Sequence, residues 1–195
     1  MRNVVSSAIA IVLLTAFLGL GYPLVMTGFA QVAFAHQANG SLIKENGQVV
    51  GSKLAAQAFT GPKYFHPRPS ATAPAYNAGA TTFANLGPTS TDLAKNVRAA
   101  ALAILKLERP YNPGLTIHQI PVDAVTTSAS GIDPDISPAN ARLQSRRVAA
   151  VRNLPLSTVQ KLIDDNTDGR SWGFFGEPGV NVLELNLALD RLGGS

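Results

Sequence analysis

The stretch from Val4 to Ala35 constrains this chain most, because it contains no Asp, Glu, Lys, Arg or His. A helix needs about 20 predominantly apolar residues to cross the hydrocarbon core of a bilayer, and the run up to Tyr22 supplies that length. Inside hydrocarbon every backbone N–H and C=O must be satisfied within the segment, so the run has to be helical. The sequence therefore predicts an N-terminal transmembrane anchor, with Tyr22 at the level of the lipid headgroups.

Pro23 stands near the far end of this run, directly after Tyr22. Proline removes a backbone donor and crowds the preceding turn, which predicts a kink or an exit from the helix at that point. The residues from Leu24 to Phe34 remain apolar and are expected to continue as a short, partly interfacial helix.

A cleaved signal peptide is the alternative interpretation of the same stretch. The residues Ala33-Phe34-Ala35 form a small-x-small pattern typical of a cleavage site. However, the apolar region of a signal peptide is about 7–15 residues long, and this run is far longer. The length therefore favours a retained anchor.

Flanking charges predict the orientation of the anchor. The amino terminus and Arg2 precede it, and the first charges beyond it are Lys44 and Glu45. Lys and Arg near the ends of a membrane span favour the cytoplasmic side. We therefore expect residues 1–35 to form a single-pass anchor in the cell (inner) membrane with a cytoplasmic N-terminus. Residues 36–195 are then expected to form one soluble, extracytoplasmic domain.

The composition is compatible with one ordinary domain behind the anchor. The chain has 195 residues, of which 46% are hydrophobic, and its net charge is +4. The basic residues are spread along the chain and are not interleaved with aromatic residues, which argues against a nucleic-acid-binding protein. Cysteine is absent from the sequence, so no disulfide framework is expected.

The local patterns beyond the anchor predict an α+β domain. Asn46-Gly47 between short apolar runs indicates a β-hairpin, and the residues at 125–128 are β-prone. An apolar stripe after Thr91 predicts a core helix that ends before Pro110. Further helices are predicted at 54–59, from Pro138, from the apparent capping box at Ser157 and, by composition rather than periodicity, over 182–189.

No pattern in the sequence indicates catalysis or a metal site. The three histidines, His36, His66 and His118, are far apart and near no pair of carboxylates. Asp133-Pro134-Asp135 lacks the additional oxygen ligands and the glycine spacing of a calcium loop, so we expect it to form a turn. Phosphate-binding and nucleophile-elbow motifs are absent as well.

Several stretches together resemble the C subunit family of the bacterial Kdp potassium-transporting ATPases. The resemblance extends in order over nearly the whole chain, with small departures at 55–57 and 80–83. It is carried by Tyr22-Pro23, residues 37–43, 64–71, 85–88 and 125–133, Gln144 with residues 147–149, and residues 180–190.

The resemblance implies an accessory, non-hydrolytic subunit of a complex with a channel-like A subunit, a P-type ATPase B subunit and a small F peptide. It implies that this subunit stabilises assembly and that potassium transport and ATP hydrolysis occur in the other subunits. The family is also described as a chaperone that raises the ATP affinity of the B subunit, with a glutamine, here Gln144, touching nucleotide. The expectation is that this subunit by itself holds no cofactor, with binding of ATP in complex with the ATPase subunit as the alternative. ATP is cytoplasmic, so the charge-based orientation favours the assembly role.

Two groups of residues are predicted to contact partner subunits. In the anchor, small residues permit close approach of another transmembrane helix: Ser6, Ser7, Ala10, Gly19 and Gly21. Tyr22 and Pro23 are predicted to belong to the same interface. In the domain, Tyr64, Phe65 and Arg68 combine aromatic rings and a guanidinium with rigid prolines, a composition typical of interface hot spots. The rival interpretation is that Arg68 pairs with a carboxylate of its own domain and that the aromatic rings cover the core.

Overall fold

A computed structural model describes residues 2–193 and divides the chain into two compact units, Met1–Val50 and Gly51–Ser195. The elements are mixed helices and small sheets, as predicted from the sequence. The boundary predicted from the sequence follows residue 35, at the end of the apolar segment. The boundary between the two compact units follows Val50.

The first unit contains a helix long and apolar enough to span a membrane, Arg2–Ala33. It consists of α1 (Arg2–Ala16), a π-helical turn (Phe17–Gly21) and α2 (Tyr22–Ala33). A kink or an exit was predicted at Pro23, and the exit is wrong, because the helix continues for ten further residues. The π-turn ends at Gly21, two residues before Pro23, whose missing N–H and ring disturb a regular α-helix in the preceding turn.

A short helix, α3 (Ala35–Ala38), and a β-hairpin follow. The strands are β1 (Leu42–Glu45) and β2 (Gln48–Ser52). Asn46 and Gly47 both have positive φ, 50° and 80°, which the tight turn between two strands requires. The predicted hairpin is confirmed.

Residues 53–90 of the second unit fold without a helix or strand in the described structure. The helix predicted at 54–59 is therefore wrong. The Ala56 N–H donates to the carbonyl of Ile132 at 2.9 Å, so this backbone pairs with a distant part of the chain.

Helix α4 (Thr91–Glu108) has the predicted extent but not the predicted burial. Ser90 caps it by accepting from the Leu93 N–H at 3.3 Å. Only Ala101 and Glu108 of this helix are buried, so α4 lies at the periphery of its unit rather than in the core. A single 3₁₀ turn (Ile117–Gln119) and α5 (Val122–Val125) follow, where the sequence had indicated β-structure near residue 125.

The core lies between the C-terminal helices and a small sheet. The helices are α6 (Pro138–Arg152), α7 (Leu156–Asp165) and α8 (Val182–Gly193), so the helix predicted over 182–189 is confirmed. Helix α7 begins at Leu156 without the capping side chain predicted at Ser157. The antiparallel sheet has the order β3-β5-β4, formed by Asp135–Ile136, Gly179–Asn181 and Thr167–Asp168.

An aromatic turn projects between β4 and β5. Ser171 pairs with Phe175 in an antiparallel bridge, and the rings of Phe174 and Phe175 lie 4.2 Å apart. Trp172 at the tip has positive φ and an exposed fraction of 88%.

Candidate functional site: a proline-rich segment held by helices α6 and α8

Gln144 of α6 forms hydrogen bonds to both backbone groups of His66. Its Oε1 accepts from the His66 N–H at 2.8 Å, and its Nε2 donates to the His66 carbonyl at 3.1 Å. The same amide also donates to Asn140 Oδ1 at 3.0 Å and accepts from Arg147 at 2.8 Å. Gln144 is therefore a buried amide whose hydrogen-bonding groups are all engaged within its own domain.

Asn186 of α8 binds the neighbouring residue, Phe65, in the same way. The Phe65 N–H donates to Asn186 Oδ1 at 2.9 Å, and Asn186 Nδ2 donates to the Phe65 carbonyl at 2.9 Å. Two side-chain amides thus supply to consecutive residues the paired hydrogen bonds that two strands, one on either side, would provide. They fix residues 62–69, which we call the proline-rich segment.

Arg147 of α6 joins this segment to α4. Its guanidinium donates to Glu108 Oε1 at 2.7 Å, to the Tyr64 carbonyl at 2.9 Å and to the Pro62 carbonyl. The side chains of Arg147 and Glu108 are 0% and 1% exposed. A buried charge requires a partner of opposite sign and further hydrogen bonds, and Arg147 has both.

Arg152 at the end of α6 binds the outer part of the segment. Its Nε donates to the Lys63 carbonyl at 2.7 Å, and its Nη2 pairs with Asp190 at 2.7 Å. The guanidinium also lies 5.0 Å from the centre of the Tyr64 ring, whose hydroxyl donates to Asp190 at 3.1 Å. Tyr64 is thereby held against helices α6 and α8.

Arg68 pairs with a carboxylate of its own domain. Its Nη1 lies 2.9 Å from Asp133 Oδ2, and the two side chains are 25% and 29% exposed. Its Nη2 donates to the Thr127 carbonyl at 3.3 Å. This geometry matches the rival interpretation given above, in which Arg68 serves the domain itself.

Burial shifts the pKa of two groups beside the segment. Desolvation lowers the pKa of His66, whose Nε2 lies 3.0 Å from the Gly61 carbonyl, and the charge of Arg147 acts in the same direction. Desolvation raises the pKa of Glu108, although Arg147 opposes the shift. Glu108 Oε2 is buried and accepts no hydrogen bond within the described chain.

The structure brings together the predicted site residues of the domain. Tyr64, Phe65 and Arg68 lie on the segment that Gln144 holds. Phe65 is 0% exposed and belongs to the core, so its side chain is not on the surface of the domain. The residues predicted in the anchor belong to the first unit, where all are exposed along the helix: Gly19, Gly21, Tyr22 and Pro23.

The sequence interpretation gave no role to Asn186, Arg147 or Arg152. Helix α6 contains four arginines together with Asn, Gln and Ser, so its sequence alone does not distinguish the buried Arg147 from the exposed Arg142 and Arg146. No group of three or more His, Cys, Asp or Glu side chains that could hold a metal ion occurs among residues 2–193. The side chains of Gln144 and Asn186 bind the backbone of the proline-rich segment.

The fold and the site define a class of protein: a chain with one helix long and apolar enough to span a membrane and a mixed α+β domain stabilised by internal side-chain–backbone hydrogen bonds. Residues 4–191 match the family model described as KdpC, K+-transporting ATPase, c chain. The chain belongs to this family.

Curated relatives match over almost their whole length, and each carries the name potassium-transporting ATPase KdpC subunit. The protein from Acidobacterium capsulatum is 49% identical over 98% of this chain and 100% of its own. One from a Caulobacter species is 53% identical over 91% and 88% of the two chains. One from Mycobacterium bovis is 47% identical over 98% and 99%.

Proposed function

We propose that this chain is an accessory, non-hydrolytic subunit that stabilises the assembly of a potassium-transporting ATPase. Its partners are the channel-like A subunit, the ATPase B subunit and the small F peptide. The family membership supports a place in a multi-subunit transport complex. The observation that supports the assembly role is that the side-chain amide of Gln144 forms all its hydrogen bonds within the domain.

The second candidate role, raising the ATP affinity of the B subunit, requires Gln144 to contact nucleotide. Gln144 is 6% exposed, and it would have to release the His66 backbone first. Leaving a buried donor or acceptor without a partner costs about 1–3 kcal/mol per group. This cost favours the assembly role over a direct contact with nucleotide.

The proposed orientation also favours assembly. A cytoplasmic N-terminus with a single membrane crossing places the domain on the side away from cytoplasmic ATP. A reporter enzyme fused after Ser195, active on one side of the membrane only, tests this. Activity outside the cytoplasm supports the assembly role, and activity inside the cytoplasm returns the ATP-affinity role to consideration.

The decisive experiment separates assembly from ATP affinity in the purified complex. Gln144→Ala should reduce recovery of the complex with a tagged B subunit, because the proline-rich segment loses its support. The complex that does form should keep its KM for ATP. Gln160→Ala, at an exposed glutamine of α7, is the matched control and should change neither quantity. Full recovery with a raised KM for Gln144→Ala alone would contradict the proposal.

A further inference from the structure

Helix α4 carries a row of basic residues along its exposed side. All members of the row are exposed and lie three or four positions apart: Lys95, Arg98, Leu102, Lys106 and, at the C-cap, Arg109. Residues at this spacing share one face of an α-helix. The half-buried Val97, Ala100 and Ile104 occupy the opposite side. We call the four cations, with Leu102 between them, the basic face of α4.

The domain does not neutralise the charge of the basic face. Lys95 lies 3.6 Å from Asp92, but the two side chains are 76% and 70% exposed, so this pair is weak. Within the described part of the chain, Arg98, Lys106 and Arg109 form no ion pair. Basic residues elsewhere at the surface of the domain pair with carboxylates, among them Lys53, Arg142, Lys161 and Arg170. Uncompensated positive charge is therefore concentrated on α4.

Two of these cations border an open concavity with apolar walls. Lys106 and Arg109 line it together with Leu102, Leu105 and Pro110. Leu102 is 52% exposed at the centre of the basic face. Cations beside exposed apolar surface suit an anionic amphiphile, whose charged and apolar parts lie next to each other. This combination favours a phospholipid over the acidic, fully hydrated surface of a protein.

The chain itself keeps a bilayer within reach of the domain. Helix Arg2–Ala33 is long and apolar enough to span a membrane, and residues 34–50 connect it to the second unit. A tether raises the effective concentration of the surfaces that it joins. Each Lys or Arg close to an anionic lipid surface favours the docked state by a factor of about five. Several cations on one face are therefore enough to hold a tethered domain on such a surface.

We propose that the basic face of α4 docks on the anionic phospholipid headgroups of the membrane that holds the anchor. The exposed side of the helix meets the lipid, so its half-buried side stays packed on the domain and no core contact has to open. The proposal concerns the chain by itself and does not depend on the assembly role.

The test uses the full-length chain, without other subunits, in lipid nanodiscs. Cysteine is absent from the sequence, so Ala99→Cys, at an exposed position beside the basic face, takes a single nitroxide label. Electron paramagnetic resonance measures the collision rate of this label with a neutral, water-soluble nickel chelate. The rate is compared between discs of phosphatidylcholine and discs of equal parts phosphatidylcholine and phosphatidylglycerol.

We expect the collision rate to fall by at least about half in the discs that contain phosphatidylglycerol. Salt at about 1 M, where the Debye length is about 3 Å, should restore it. A label at Gln160→Cys, an exposed position of α7, should report equal rates in both kinds of disc. Equal rates at Ala99→Cys would overturn the proposal.

Neutralising part of the basic face locates the docking surface. Lys106→Gln with Arg109→Gln should lower the ratio of docked to free domain about 25-fold, a factor of about five for each cation. Lys161→Gln with Arg170→Gln removes the same charge from other exposed positions and should leave the protection of the label unchanged. Circular dichroism checks that both double variants remain folded. Equal loss of protection in the two would contradict a specific role of α4.

An acidic face of a partner subunit is the alternative occupant. It predicts equal collision rates in the two lipid mixtures for the chain alone, and a fall only after assembly with the A and B subunits. That result would overturn docking on lipid. Protection in the chain alone tests the lipid proposal, whereas recovery of the complex tests the assembly role, so the two can fail separately.

Discussion

Gln144 Oε1 and Nε2 lie 2.8 and 3.1 Å from the backbone nitrogen and oxygen of His66, the two bonds that a paired strand would make. Asn186 repeats the arrangement on Phe65 from a different helix. Phe65 and His66 thus make the backbone hydrogen bonds of strand residues, although the proline-rich segment belongs to no sheet.

Replacing Asn186 should open the segment locally. Asn186→Leu keeps the branched shape and the number of side-chain heavy atoms but removes both bonds to Phe65, and we expect a loss of about 2–3 kcal/mol in the free energy of unfolding. Amide hydrogen exchange should accelerate at Phe65 and remain slow at His66, which Gln144 still holds. Asn96→Leu on the exposed face of α4 is the control and should have little effect. Equal protection of Phe65 in both variants would show that the amide is dispensable.

The buried ion pair should respond more strongly than an exposed one. Arg147→Met leaves Glu108 charged and buried, with an expected cost of about 3–5 kcal/mol in chemical denaturation followed by circular dichroism. Arg147→Lys should rescue little, because an ammonium cannot reach all the acceptors that the planar guanidinium serves. Arg142→Met removes a pair that is 63% and 66% exposed and should cost about 0–1 kcal/mol. A small effect at both arginines would be inconsistent with the role assigned to Arg147.

The lowered pKa of His66 predicts a dependence of stability on pH. The unfolded chain, with the ordinary histidine pKa of 6.5, takes up a proton at higher pH than the folded chain. This contribution to stability is therefore present above that pH and is lost as the pH falls through and below it. His66→Gln should show a smaller loss over the same range, and His118→Gln, at an exposed histidine, should behave as the parent chain. The comparison between variants removes the opposite contributions of Glu108 and Asp135, whose pKa values burial raises.

Arg68 permits a direct test of the predicted interface. Arg68→Ala and Asp133→Ala break the same partly exposed pair, so each should lower the free energy of unfolding by a similar amount, about 1 kcal/mol. If the guanidinium also meets a partner subunit, recovery of the complex should fall further for Arg68→Ala than for Asp133→Ala. Equal recovery of the two variants would assign Arg68 to the domain alone.

Small residues in the anchor predict a helix–helix contact. Cβ atoms added at Gly19 and Gly21 would approach other atoms of the chain no closer than 3.9 Å, so the helix itself accommodates larger residues. Gly19→Leu with Gly21→Leu should therefore reduce co-purification with the A and B subunits through loss of close packing between helices. Gly28→Leu, where nothing lies within 4 Å, is the matched control. Unchanged recovery of the double variant would remove this contact.

Local sequence patterns predicted the positions of helices and strands better than they predicted which residues of those elements are buried. The membrane-length helix, the Asn46-Gly47 hairpin and α8 follow from hydrophobic length, turn chemistry and helix propensity, which are encoded within a few residues. The peripheral position of α4 was not predicted, because its apolar stripe has the spacing of a core helix. Only Ala101 and Glu108 of this helix are buried.

The support of the proline-rich segment could not be predicted from local patterns. Asn186 and Phe65 are 121 positions apart, and Gln144 and His66 are 78 apart. A side-chain amide that binds a distant backbone leaves no periodic signal, and α6 alone does not reveal that Arg147 is buried. The resemblance to a family singled out Gln144, but its partner is the backbone of His66.

The aromatic turn has a consequence for how this protein is observed. Trp172 is the only tryptophan in the sequence, and 88% of it is already in contact with solvent in the folded chain. We therefore expect its intrinsic fluorescence to resemble that of an unfolded chain and to change little when the core melts. Because this tryptophan is exposed in the folded chain, a blue shift of its emission would report that another molecule covers the aromatic turn.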